Sequence, residues 1–529
     1  MDGIIAKTVL GTFVGICTIL FVLQKVLIGK QDPREPPLAP TSIPYFEHAF
    51  GMLRQKHDYP LSIYRKTKSA PILTMLMPGK TLYIVNSLPL IQQVQKQYRA
   101  LSFFPVAGKM STLACGAAET TREIVMTNVH GDGGVGSVFA DVNPMIREVM
   151  APGATLDAMN KDMMATIGRA LDEVTKGARG KTPMKLSLKS WIKDCVTQAT
   201  TNAIYGPENP FKKKSIKEAF WEFEDNFLSV IIGLFPSLLA RKGLAARERV
   251  AHSFKTYLQN DNHMKGSPLI QGRHRINAQY GIPILDIARF EVAMCIALLV
   301  NTNPSMFWLL FFIYSNPALL NDIRAELDPT LETSKNVDGS LTRLLDLTKV
   351  KSKCPLLASA FQETLRHRGM ISSVRQVMED TILDGKYLLK KDALVQMPAR
   401  VVHMDAAIWG PDVEEFNPHR FLRSSNMKKA SASGFRAFGG GTMLCPGRHF
   451  ATTEILAMVA MCVVRFELKP VTGKWTMPTT RNTGVAAAVM EPDQEVEVEV
   501  SLRKGFEEGT WRFGLSESKE VFAFVDEDQ

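Results

Sequence analysis

The chain has 529 residues, 45% of them hydrophobic and 22% charged, with 36 Gly and 29 Pro. That apolar content suffices for a large core and excludes a disordered, collagen-like or low-complexity chain. The net charge of +10 carries no long basic block, so nucleic acid is not an expected partner. Seven cysteines, an odd number without CxxC pairing, argue against a disulfide framework or zinc site and for a reducing compartment.

At the N-terminus the uncharged string Thr8 to Gln24 is flanked by Lys7 and Lys25. It predicts a membrane anchor over 1–29, with a single transmembrane helix at about 8–28. A cleaved secretory signal is the alternative, disfavoured because no small-residue cleavage site follows. Lys25, Lys30 and Arg34 after the span place the body on the cytoplasmic side, which in a eukaryotic cell implies the endoplasmic reticulum. Residues 30–45 hold Pro33, Pro36, Pro37, Pro40 and Pro44 and predict a semi-rigid spacer. Residues 46–515 show no linker-like cut and predict one catalytic body, followed by an acidic tail at 516–529.

The body reads as predominantly α with small β-sheets. Strand patterns run from Ile72 to Val85 around Gly79 and from Val374 to Val395, where Asp384-Gly385 signals a two-residue hairpin. Helices are expected over Leu156 to Val174 and Ser215 to Leu234. From Val292 to Asn321 lie 30 uncharged residues, long enough for a second membrane span. Asn301, Asn303 and Pro304 at its centre favour instead a helix buried on all sides. Pro304 cannot donate to the Val300 carbonyl, so this helix should open near Val300 and Asn301.

Glu363-Thr364-Leu365-Arg366 places a carboxylate and a guanidinium at i, i+3 on a helix bounded by Pro355 and Gly369. Further on, Phe438-Gly-Gly-Gly-Thr-Met-Leu-Cys445-Pro446-Gly447 predicts a tight glycine loop leading into a helix over about Pro446 to Val464. A thiol at a helix N-terminus should have a lowered pKa, suiting a nucleophile or a metal ligand. A lone cysteine is, however, commonly a buried and inert one.

The whole pattern resembles the cytochrome P450 family. The loop matches F-x-x-G-x-x-x-C-x-G-x-x-x-A at Phe438, Gly441, Cys445, Gly447 and Ala451, and Glu363 with Arg366 gives E-x-x-R. The segment Phe416 to Phe421 supplies Arg420 as third member of an ion cluster. The resemblance implies haem as cofactor, Cys445 as axial thiolate to its iron, and a monooxygenase fed with electrons from NADPH by a separate reductase. Three positions depart from the family pattern. Met443 stands where Arg or His usually meets a propionate, and no W-x-x-x-R occurs, leaving Arg375 as the best candidate. Val300 and Asn301 replace the usual acid and Thr, as in the sterol 7α-hydroxylase and prostacyclin synthase branch. Proton delivery would then fall to Asn301, Thr302 and water.

The resemblance also places Phe103, Phe104, Val300, Met370, Ile371 and Val485 on the walls of a lipophilic pocket. Its branch and its likeness to fungal members suggest a terpenoid or sterol-like substrate in natural-product biosynthesis. An isomerase or dehydratase acting without external electrons, or a haem sensor, are the rival readings. His449 is expected to cover the haem, and Lys428, Lys429, Arg436 and Arg448 to face the reductase.

Overall fold

A computed structural model of the chain describes residues 31–43, 45–132, 134, 136–180, 183–232, 240–422 and 434–516. The expected anchor at 1–29 and the tail beyond Ser516 lie outside the described residues, as do Lys428 and Lys429. No helix among the described residues is long and apolar enough to cross a membrane. The chain divides into two compact units where the sequence offered no cut. The small one ends at Phe103 and takes back Ser372–Val402, and the large one is Phe104–Ile371 with the residues from His403 onward. An excursion of this kind leaves no composition signal, because no crossing carries a polar linker: one falls at the start of the Phe104–Cys115 helix, one after the short link Gly369–Ile371 and one inside Ala399–His403.

The small unit is built on a five-stranded sheet in the order Ile72–Met77, Lys80–Val85, Leu394–Pro398, Ser372–Val377, Leu101–Ser102. The first hairpin turns on Pro78 and Gly79, and Gly79 takes the positive φ of 69° that this tight turn demands. The second strand signal resolves into nested pairs. Ser372–Val377 lies antiparallel to Leu394–Pro398, and between them Thr381–Leu383 pairs with Tyr387–Leu389. Asp384 and Gly385 both have positive φ, as the hairpin signal required, but Lys386 adds a third loop residue between the paired Leu383 and Tyr387. Tyr59, Ile63, Leu73, Met75 and Ile84 form the core beside this sheet.

The proline-rich stretch is packed on the sheet rather than free as a spacer. Thr74 donates its N–H to Pro37 and its hydroxyl to Pro36, while Ala39 donates its N–H to Thr74. Prolines lack donors but keep their carbonyls, so an extended proline segment can still line a sheet edge.

The large unit is helical, with two three-stranded sheets at Phe466–Pro470, Glu497–Leu502, Met184–Ser187 and at Thr510–Gly514, Leu341–Asp346, Leu331–Lys335. The expected helix over Leu156 to Val174 is observed as Ala154–Ala178. That over Ser215 to Leu234 breaks instead, into Lys214–Asp225 and Phe227–Ile232. Asn226 separates them, its side-chain amide bonding the Glu222 carbonyl at 2.8 Å and competing with the ladder.

The uncharged run spans the end of Ile284–Leu299, all of Thr302–Tyr314 and the start of Pro317–Leu327, interrupted at Val300 and Asn301 as Pro304 requires. It is buried on all sides only in its middle helix; Ala297 before it and Asn316 to Ala318 after it are exposed. All 13 residues of Thr302–Tyr314 are buried, against the Leu188–Tyr205, Pro355–Arg368 and Arg448–Arg465 helices. Side chains such as Phe307, Trp308 and Phe311 each gain about 1.5–3 kcal/mol from such burial. The polar atoms find partners: Trp308 Nε1 donates to Met490 O at 2.7 Å, and Tyr314 Oη to the Cys462 and Phe466 carbonyls.

Candidate active site

The E-x-x-R helix runs Pro355–Arg368 with Gly369 as its C-cap, the limits that its proline and glycine predicted. Glu363 and Arg366 have no solvent exposure. Arg366 Nε meets Glu363 Oε2 at 2.7 Å and Nη2 meets Oε1 at 2.8 Å, a bidentate pair. Arg420 adds its Nε at 3.1 Å from both Glu363 oxygens, and the Asn417 N–H donates to Oε1 at 3.0 Å. The remaining guanidinium hydrogens go to backbone carbonyls, Arg366 to His403, Val413 and Glu415 and Arg420 to Trp409 and Asp412, and for Arg420 also to the Asp412 carboxylate. Asp412 neutralises the second arginine at 3.0 Å. A buried cluster of this kind is satisfied atom by atom, and it pins the 403–420 segment to the E-x-x-R helix.

From that segment the chain enters the cysteine loop at Arg436, whose N–H donates to His403 Nε2 at 3.0 Å. Arg436 is buried, which removes it from any docking surface; its peptide lies inside, next to buried Phe435. In the loop Gly439 and Gly441 have φ of 89° and 62°. At Gly439 a Cβ would approach the Met443 carbonyl to 3.2 Å, so the glycine serves both conformation and fit. The Cys445 N–H donates to Phe438 O at 2.9 Å and closes the loop.

The helix that follows begins at Arg448, capped by Gly447, rather than at Pro446. Pro446 and Gly447 are spent on the turn that aims two amides, of Gly447 and Arg448, at the Cys445 sulfur. The expected fall in the thiol's pKa is not observed. Burial pushes it up, and the two amides with the Arg448 guanidinium only oppose that rise. Of the six described cysteines five are buried and Cys445 is half-buried. Phe438, Gly441, Leu444, Pro446 and Gly447 around it are half-buried or exposed, and Ala451 lies one turn on.

This donor set fits a flat apolar group carrying a metal. One soft sulfur is oriented by two N–H donors, the glycines bar no approach, and the rim is apolar. A metal would deprotonate the thiol that burial keeps neutral. His449 is buried and its imidazole is held down to about 4 by that burial, with Arg448 and Lys351 adding repulsion, so it is neutral at physiological pH. Arg448 Nη1 donates to Cys445 O at 3.3 Å.

The family that this geometry points to also matches in sequence. The cytochrome P450 pattern covers residues 269–498. A cytochrome P450 monooxygenase, nodJ, of Hypoxylon pulicicidum is 33% identical over 501 residues, covering 93% of this chain and 95% of that protein. The chain belongs to the cytochrome P450 family. A cytochrome P450 monooxygenase of Gibberella zeae is 26% identical over 515 residues, 94% of each chain. Cholesterol 7-alpha-monooxygenase of Cricetulus griseus is 26% identical over 298 residues, 54% of this chain and 58% of that one. This P450 is therefore an oxidoreductase whose cofactor is haem, the iron held by a cysteine thiolate as in the family.

Around the helix opening, Asn301 Oδ1 accepts the Ala488 N–H at 2.6 Å and its carbonyl accepts the Ser305 hydroxyl at 2.8 Å. The Ala488 carbonyl in turn accepts the Met370 N–H, so the 483–490 segment is stitched to both helices. Thr302, Val300 and Met370 are buried, Ile371 is half-buried and Val485 is 42% exposed. Phe104 packs at 6.0 Å on Phe139 in the same large unit. Phe103 and Arg375 belong to the small unit. There the Arg375 guanidinium lies 5.3 Å over the Phe103 ring and donates to Ser373 Oγ and Val374 O.

One basic residue escaped the sequence reading. Arg147, in the Val138–Val149 helix, donates to the Thr442 carbonyl of the cysteine loop. Asn143 occupies the place of the Trp in W-x-x-x-R, so a search for that motif passes over it; a search for any Arg late in this helix would have found it.

Proposed function

We propose that this P450 is a membrane-anchored monooxygenase that hydroxylates a lipophilic, terpenoid or sterol-like substrate in fungal natural-product biosynthesis, with Cys445 as the axial thiolate. The observation that carries the reading is the pair of amides aimed at the half-buried Cys445 sulfur in a glycine loop. When bound, haem supplies reductive activation of dioxygen and oxidation of a C–H bond. Phe438, Gly441, Gly447 and Ala451 would bracket it, with Arg147 as a cationic partner of its acidic side groups. The Glu363–Arg366–Arg420 cluster holds the chain leading into the loop, so the sulfur keeps one position during turnover. Val300, Met370, Ile371 and Val485, with Phe104 of the same large unit, give the substrate an apolar surround. Asn301 is neutral at every physiological pH and orients water rather than supplying a proton itself. The likeness to cholesterol 7-alpha-monooxygenase supports a sterol-like substrate, and that to a fungal monooxygenase supports a fungal pathway.

The test is NADPH-dependent turnover of a panel of terpenoids and sterols with a purified reductase. Substrate-induced spectral change and a hydroxylated product from some member of the panel are expected. Product formed without any electron supply would instead establish an isomerase.

A further inference from the structure

In the large unit the short helix Leu347–Lys353 packs against the Arg448–Arg465 helix. From it Lys351 reaches inward, and its Nζ donates to Thr453 Oγ1 at 2.7 Å. Thr453 has no solvent exposure, and its hydroxyl donates in turn to the His449 carbonyl at 2.9 Å. The ammonium is thereby fixed beside the first turns of the helix that begins three residues after Cys445. Thr453 stands five residues into that helix, about 7.5 Å along its axis from Arg448.

This cation has no counter-ion of its own. Asp157, in the Ala154–Ala178 helix, faces it, but the two form no ion pair among the described residues. Elsewhere on the Lys351 helix, Lys349 is paired with Glu332, and Lys353 is exposed. Glu454, next to Thr453, is no anion at pH 7: it accepts the Thr200 hydroxyl, and burial raises its carboxyl to about 8. Arg448 adds a second cation near the sulfur, and His449 is neutral. Burial lowers Lys351 to about 8, opposed by Asp157, so it still carries its charge at pH 7. A half-buried ammonium without an ion pair is costly to keep. The Cys445 thiol gives it no anion to face, whereas the thiolate formed on metal binding does.

We propose that Lys351 is a positioning residue for the thiolate: its ammonium, held by Thr453 on the Cys445 helix, favours negative charge on the sulfur and reduction of the iron bound there. The proposal rests on Cys445 being the axial ligand. Reduction adds one electron, and so one negative charge, to the site; a fixed cation nearby favours that form. No bond to Lys351 forms or breaks, and no proton leaves it.

The test is an anaerobic titration of the full-length, haem-loaded protein with dithionite at controlled potential, followed at the Soret band. Lys351→Gln can still donate to Thr453 but carries no charge. At the wild-type midpoint its ratio of reduced to oxidised iron should fall several-fold. Lys351→Arg should titrate like the wild type, and so should Lys353→Gln, the same charge change at an exposed site of the same helix. A wild-type midpoint in Lys351→Gln would overturn the proposal, as would an equal fall in Lys353→Gln. If Lys351→Gln does not take up haem, Thr453→Val decides. Releasing the ammonium toward solvent should lower the ratio in the same direction, and an unchanged midpoint would overturn the proposal. A wild-type carbonyl complex without the thiolate band would instead refute the Cys445 reading, before any variant is compared.

Discussion

A carboxylate with no solvent exposure persists only where its charge is met, and Glu363 meets it with two guanidiniums and a peptide N–H. Glu363→Gln keeps the shape but leaves two buried cations facing a neutral amide. A loss of about 3–5 kcal/mol is expected, read as a lowered midpoint in denaturant, with haem content falling alongside. Glu454 illustrates the opposite case. It sits on the Arg448–Arg465 helix, fully buried, with the Thr200 hydroxyl at 2.6 Å, and burial raises its carboxyl to about 8. The folded protein therefore keeps a proton that the unfolded chain gives up near its ordinary value. Stability falls as pH rises from about 5 to about 8 and then levels off. Glu454→Gln should flatten that part of the profile of melting temperature against pH; a profile parallel to wild type would contradict the assignment. In the sequence Glu454 was visible only as one acid in an apolar run, whereas Glu363 was legible because its partner lies three residues away on the same helix face.

The central helix shows where element-scale reading succeeds and where it stops. Pro304 removes one N–H, and that local fact was enough to locate the opening at Val300 and Asn301. The environment of the opening was not legible. The Ala488 N–H that fixes Asn301 comes from a segment far away in the chain, which periodicity cannot bring to it. Asn301→Ala removes the bond that ties the opening to the 483–490 segment. Peroxide release relative to product is expected to rise with little change in stability, measured in coupled turnover. An unchanged ratio would leave Asn301 a merely structural residue. The Cys445 helix gives the complementary lesson: the sequence placed it correctly within two residues, but Pro446 and Gly447 serve the turn and not the first helical positions.

At the scale of the molecule, the apolar content divides between the core of the large unit, the smaller core beside the five-stranded sheet, and the N-terminal string. The string at Thr8 to Gln24 serves in our account as the anchor. Removing residues 1–29 should move the protein from the membrane to the soluble fraction on ultracentrifugation, while the reduced carbonyl spectrum stays intact. Retention in the membrane would place the attachment elsewhere. Every other part of the account depends on the sulfur of Cys445 reaching iron. The most direct measurement is the absorption spectrum of the reduced, carbon monoxide-treated protein, wild type against Cys445→Ala. The account predicts the long-wavelength Soret band of a thiolate-ligated haem in the wild type and its loss in the variant. The same band persisting in Cys445→Ala would contradict it.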